Sequence, residues 1–413
     1  MILQALGAPV GNDNKAPWQG RDRTMKLKTF VLGTSALAGV AMLGSASAVP
    51  AAAAEVKPGG ALDVTITGFL RAEAGGGEQD SISRDPDKAR GLDFRNDTEV
   101  HVLARGKSEQ TGLEYGATVE FEADTNHSLN TDETWMFMRG GWGELRMGDE
   151  DGAVDNSIIG GQTIAAGTGG IDGSTFVVAG IRGEGVFPTE TSDQTKIRYY
   201  TPSFGGFSLG VSYTPTSNVI DSGDPNGDNI ADKGGDAAMQ GQNTFEGALV
   251  YDGDLGGVGL TASVVGLFGQ LRNGAKDDPI VGGGGGFGGN DYWNTVGGVA
   301  LDIFGFKVAG SVGYDKIGDE NHQFATGGIG YGFGPVNTSI TGAYIWDSNN
   351  DFTDREGYDK PYNIVFSADY ALAPGLVLAG DVAVFDIDTN SGPNDPGTGD
   401  KGVAAVARFA VAF

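Results

Sequence analysis

From Leu62 onward the chain alternates apolar and polar side chains with a period of two. The stretch LDVTITGFLRAEA places Val64, Ile66, Leu70 and Ala72 on one face and Asp63, Thr65, Thr67, Arg71 and Glu73 on the other. EVHVLARGK sets Val100, Val102 and Ala104 against Glu99, His101, Arg105 and Lys107. LEYGATVEFEAD sets Leu113, Tyr115, Ala117, Val119 and Phe121 against Glu114, Thr118, Glu120, Glu122 and Asp124. Successive side chains of a strand point to opposite sides, so each stretch reads as a β-strand with one oily and one charged face. No helix-period segment lies between them to cover the oily face.

Sixteen such segments can be marked, beginning near Leu62, Phe94, Leu113, Glu133, Glu144, Thr195, Phe207, Thr244, Val258, Tyr292, Phe306, His322, Val336, Tyr362, Leu376 and Val403. The connections between them alternate in length. GGWG, PSFGG, DGDLGG, DIFG, FGPV and ALAPG are tight turns, whereas Asp149–Gln194, Pro215–Gln242, Gln270–Asn290 and Asp347–Lys360 are long and rich in Gly, Asp and Asn. An even number of strands with short turns at one end and long loops at the other predicts an all-β fold, a 16-stranded antiparallel transmembrane barrel. A soluble sandwich has no reason to segregate loop length in this way. The last segment, GVAAVARFAVAF, alternates up to Phe413 itself. A barrel closes when its last strand pairs with its first, so Phe413 is assigned to barrel closure and to the aromatic girdle at the membrane interface.

Composition sharpens this picture. Mean hydropathy is −0.17, a soluble-looking average that alternation produces even in a lipid-facing strand. With no cysteine the chain has no thiolate chemistry, no Cys-based zinc site and no disulfide. A formal charge of −27 argues against nucleic acid as a partner. Near the N-terminus, residues 25–48 (MKLKTFVLGTSALAGVAMLGSASA) carry two lysines, then an apolar run, then Ala46-Ser47-Ala48. That order is a secretory signal peptide with cleavage before Val49; the alternative, a membrane anchor, is poor in large apolar residues and is broken by Pro50. Residues 1–24 read as a misassigned extension, residues 49–61 as a lead and residues 62–413 as the barrel.

KIRYYTPSFGGFSLGVSYTP (Lys196–Pro215) resembles the strand–turn–strand hairpin of Gram-negative general porins, in particular the alphaproteobacterial type. WMFMRGGWGELRMGDED (Trp135–Asp151) resembles their hairpin leading into the third loop. The resemblance implies a trimeric barrel of the outer membrane whose third loop folds inward to narrow a water-filled pore. Its partners would be lipid and lipopolysaccharide, the barrel-assembly machinery, and small hydrophilic solutes and ions. On that basis Glu150, Asp151, Asp155, Asp172 and Glu184 are candidate constriction acids. Arg71, Arg105, Arg146, Lys196 and Arg198, by their strand parity, are candidate cations on the facing wall. Opposed charge in a narrow pore sorts ions by sign, and the acidic excess predicts a cation preference.

Other constellations carry less. Asp224, Asn226, Asp228 and Asp232 alternate like calcium-loop ligands, but the final bidentate glutamate is replaced by glycine, so structural calcium is a secondary expectation and no other cofactor is called for. Of the three histidines, His101, His127 and His322, only His101 lies mid-strand, and it has no readable serine neighbour. The chain is therefore not read as an enzyme. Gly282–Gly289 is a glycine run with no following Lys-Ser/Thr, a flexible loop rather than a phosphate cradle. The alternatives kept beside a diffusion channel are a substrate-selective channel, an outer-membrane hydrolase and a secreted calcium-binding β-protein.

Overall fold

The computed structural model describes residues 54–56, 62–79, 92–124, 131–175, 188, 190–218, 240–271, 291–318, 320–349, 358–389 and 400–413. The extension and signal segment (1–48), the candidate calcium residues Asp224, Asn226, Asp228 and Asp232, the glycine run and Glu184 lie outside them.

A three-residue strand, β1 (Ala54–Val56), precedes sixteen longer ones. These are β2 (Asp63–Gln79), β3 (Asp93–Lys107), β4 (Glu114–Glu122), β5 (Thr134–Gly140), β6 (Gly143–Asp149), β7 (Thr195–Tyr200), β8 (Phe207–Asn218) and β9 (Gln240–Asp254). They continue as β10 (Gly259–Leu271), β11 (Asp291–Ile303), β12 (Phe306–Ile317), β13 (Glu320–Phe333), β14 (Val336–Asn349), β15 (Tyr358–Ala373), β16 (Leu376–Thr389) and β17 (Asp400–Ala412). Each pairs antiparallel with its neighbour in sequence, and β17 pairs antiparallel with β2, from Gly402↔Gln79 to Ala412↔Phe69. The result is a closed 16-stranded barrel without a free edge.

The closing seam shows why the chain can end on a bare aromatic. Phe413 and Gly68 exchange two backbone hydrogen bonds of 3.0 Å. The Phe413 ring covers Gly68, where a Cβ would stand 2.9 Å from ring carbon Cζ. Beyond that point β1 takes over the same edge of β2, pairing Ala54 with Ile66 and Val56 with Val64. The final residue is thus held on the ladder of β2, with β1 continuing that edge beyond it.

Period-two patterning is visible in burial. Along β11, Tyr292, Asn294 and Val296 point inward and are buried, while Trp293, Thr295 and Val299 point out and are exposed. Outward apolar side chains such as Met136, Phe245, Val264 and Val312 stay exposed because their solvent is lipid. Aromatics flank the short-turn end, with Phe207 and Tyr251 at 4.8 Å and Phe306 and Tyr331 at 4.6 Å between ring centroids.

Two features depart from the sequence reading. β12 and β13 are joined through only Gly318 and residue 319, at the end where long connections were expected. Gly318 adopts φ of 61°, the left-handed conformation that a tight hairpin needs. The inner face is also not charged throughout. On β10–β17 it carries an apolar cluster including Val265, Leu267, Tyr292, Phe324, Val365 and Phe385. Charge concentrates on β2–β7, where Arg71, Glu73, Asp97, Glu99, His101, Glu120, Arg146, Lys196 and Arg198 are all inward and buried.

Candidate functional site

The connection after β6 turns into the barrel and runs along its inner wall. Residues 150–175 are described, with three short 3-10 turns at Asp155–Ser157, Gly161–Ile164 and Gly170–Asp172. Backbone amides of this segment are unpaired by any sheet and must find acceptors elsewhere; the barrel wall supplies them. Ala153 N–H donates to Ser212 Oγ (3.2 Å) on β8 and Val154 N–H to Glu246 Oε2 (3.2 Å) on β9. Gly161 N–H reaches Thr326 Oγ1 (2.8 Å) on β13, Ala166 N–H reaches Ser339 Oγ (2.8 Å) on β14, and Gly167 N–H reaches Asp369 Oδ2 (3.1 Å) on β15. Thr168 donates its N–H to Asp381 Oδ1 (3.1 Å) on β16 and its hydroxyl to the same carboxylate. The loop is a belt laid from β6 round to the seam.

Glycine makes room for it. A Cβ on Gly298 would stand 1.9 Å from the Ile159 carbonyl oxygen, and one on Gly161 would stand 2.5 Å from the Gly327 oxygen. At its far end the belt meets the closing strands. Ser174 Oγ donates to Glu73 Oε1 (2.6 Å), which also accepts from Arg408 Nε (2.6 Å). Arg408 Nη1 in turn donates to the Thr168 carbonyl (3.2 Å). Arg71 pairs with Asp97 at 3.1 Å and stacks over Phe69 at 3.7 Å; Arg95 lies 3.9 Å from Asp97 and 3.8 Å from Glu73. Three guanidinium groups and two carboxylates thus interlock β17, β2 and β3.

The belt's root is a second ionic knot. β6 and β7 pair Arg146 with Arg198 and Gly148 with Lys196, so the chain leaving Asp149 drops its next residue onto three cations. Glu150 Oε2 forms an ion pair with Arg198 Nη2 (2.6 Å) and accepts a hydrogen bond from Arg146 Nη1 (3.3 Å), with both partners of each pair about 1% exposed. Lys196 Nζ donates to the carbonyls of Glu150 and Ser192, and Arg198 Nη1 donates to the Asp151 carbonyl (2.6 Å). Burial pushes the Glu150 carboxyl above its ordinary range, against the pull of Arg198, Arg146 and Lys196. Arg146 also lies over the Trp135 ring at 4.1 Å and donates to Glu144 at 2.6 Å.

The sequence reading sets acids of the inward loop against candidate cations on the facing wall. The structure instead places Glu150 in direct contact with Arg146, Arg198 and Lys196, and buries Asp151 beside them. These residues anchor the loop. Asp155 and Asp172 sit in the 3-10 turns and are half-buried. Arg71 belongs to the seam, and Arg105, half-buried on β3, has Arg139, Arg146, Glu144 and Glu114 as its charged neighbours. Glu73, Asp97, Glu246, Asp369, Asp381, Arg95 and Arg408 were not singled out from sequence, although inward strand parity marks most of them as surely as it marks Arg71.

A closed antiparallel barrel, apolar outside and belted inside by one loop, is the architecture of an outer-membrane channel. Residues 34–390 match the Gram-negative porin family, and the chain belongs to that family. No curated protein sequence matches it. Among solved structures it is similar to a mutant porin of Rhodopseudomonas blastica, with 16% identity, a TM-score of 0.53 and coverage of 85% of this chain and 100% of that one. It is also similar to the outer-membrane channel DcaP of Acinetobacter baumannii, with 13% identity, a TM-score of 0.56 and coverage of 87% and 100%. A third is OmpT of Vibrio cholerae in its trimer form, with 11% identity, a TM-score of 0.54 and coverage of 85% and 100%. The chain is a porin, an outer-membrane channel for passive diffusion.

Proposed function

We propose that this channel favours cations, and that the inward loop sets the preference. The observation that carries the reading is the sign of the belt: residues 150–175 hold Glu150, Asp151, Asp155 and Asp172 and no Lys or Arg. Glu150 and Asp151 lie buried at the root, whereas Asp155 and Asp172 are half-buried in the 3-10 turns and are the more accessible acids of the described loop. Reversal potentials in planar bilayers under a KCl gradient test it. Neutralising Asp155→Asn and Asp172→Asn together lowers the cation-to-anion permeability ratio; an unchanged ratio would remove the loop from the account.

The remaining assignments follow from the same reading. Small hydrophilic solutes and ions pass without chemistry, so the chain is a channel and not an enzyme, and it needs no cofactor. The Vibrio cholerae relative is described in a trimer form, and a homotrimer embedded in lipid and lipopolysaccharide is the assembly proposed here. Export runs through a signal peptide spanning residues 25–48, with insertion by the barrel-assembly machinery. Calcium at Asp224, Asn226, Asp228 and Asp232 stays a subsidiary proposal, tested by equilibrium dialysis with calcium.

A further inference from the structure

We propose that Glu99, His101 and Glu120 form a binding site for a divalent transition-metal cation on the inner wall of β3 and β4. Strand geometry assembles the set. Glu99 and His101 are two apart on β3 and share its inward face, and the β3–β4 register places Glu120 directly opposite His101. His101 Nε2 lies 2.8 Å from Glu99 Oε2 and 3.6 Å from Glu120 Oε2. One ligand atom from each residue lies within 4.8 Å of the other two. Bonds of about 2.0–2.2 Å to a tetrahedral ion separate its ligands by about 3.4 Å, so the three atoms reach that spacing by small side-chain shifts. The Phe69 ring meets the imidazole edge-on at 6.1 Å and 87° and holds its plane.

Charge is the independent argument. The three side chains are 4%, 8% and 2% exposed for His101, Glu99 and Glu120, so the set is largely out of water. A neutral imidazole with two carboxylates carries two negative charges. A proton on the imidazole cancels one of them; a divalent cation bound to the neutral ring cancels both. Glu122 and Asp132 each offer a further carboxylate oxygen within 4.8 Å of one on Glu99, so additional oxygen ligands stand close to the set. The imidazole selects the class of ion, favouring zinc, nickel or copper over calcium and magnesium, which prefer all-oxygen sites. Protons compete for the same ligands, so binding weakens as pH falls.

Zinc titrated calorimetrically into the detergent-folded chain is the test, with heat-modifiable gel mobility certifying that each variant is folded. One zinc binds per chain and is not displaced by equimolar calcium. His101→Ala and Glu120→Gln each weaken binding by at least the about 10–100-fold that loss of a mere supporting partner costs a metal site. The double variant His127→Ala/His322→Ala binds as wild type. Should His101→Ala fail to fold, Glu120→Gln, which keeps the side-chain shape, decides alone. Equal zinc affinity in wild type and in whichever of these variants folds, or loss of zinc in the His127/His322 variant instead, overturns the proposal.

Discussion

Gly298 shows how closely the loop is fitted to the wall: a single methyl there would collide with the Ile159 carbonyl oxygen at 1.9 Å. Gly298→Val is therefore an overpacking substitution, costing about 1–3 kcal/mol or lifting the loop off β11 to avoid it. Single-channel conductance reads the outcome directly. A value altered from wild type is expected, and an identical trace with an unchanged thermal midpoint would mean the loop does not lie there. Glu150→Gln acts at the other anchor. It takes from Arg198 the carboxylate it pairs with in a buried site, where breaking such a pair costs about 3–5 kcal/mol, while Arg146 keeps Glu144. The loop root should then be cut faster by added protease, while ion selectivity changes less than on neutralising Asp155 and Asp172. Strand parity alone marked Arg71, Arg105, Arg146, Lys196 and Arg198 as inward. It could not say that Arg198 would grip Glu150, or that Glu246 and Asp381 would receive loop amides. Those pairings depend on where a loop about as far as 213 residues away in sequence comes to rest, which no local pattern contains.

β17 is the element on which closure depends. Deleting Phe413, or replacing it with Asp, removes the ring from Gly68 and puts a charge at the lipid interface, so less of the chain should reach the fast-migrating folded form on an unheated gel. Folding yield equal to wild type would count against the seam. β1 gives the export step a structural reading. Cleavage after Ala48 leaves Ala54–Val56 intact on the edge of β2. N-terminal sequencing of outer-membrane material should begin at Val49. A start before Met25 would contradict the signal peptide. The sixteen long strands were legible because alternation is local and every one of them faces lipid on one side. β1 was not, since the alanine run around it has no alternation. The two-residue β12–β13 link was also missed as an exception, because its meaning comes from the opposite end of the barrel.

Across the whole molecule, charge is sorted by position. The inner wall of β2–β7, closed by Arg408 of β17, holds the buried ionic clusters, while β10–β16 present mainly hydroxyls, small residues and apolar side chains, with Asp369 and Asp381 among the acceptors on which the belt lies. The chain's formal charge of −27 cannot by itself decide what passes. Charges on outer connections are screened over about 8 Å at physiological salt. Charges at the loop act within a few ångströms, where two unit charges about 4 Å apart interact by about 4 kcal/mol at an effective dielectric near 20. The most direct measurement is the reversal potential under a KCl gradient for three proteins in planar bilayers. These are wild type, the Asp155→Asn/Asp172→Asn variant, and a variant with Asp224, Asp228 and Asp232 changed to Asn. The account predicts a cation-favouring wild type, a clear fall in the permeability ratio for the loop variant, and near-wild-type behaviour for the outer-connection variant. An anion-favouring wild type, or an outer-connection variant that shifts the ratio as far as the loop variant, would contradict it.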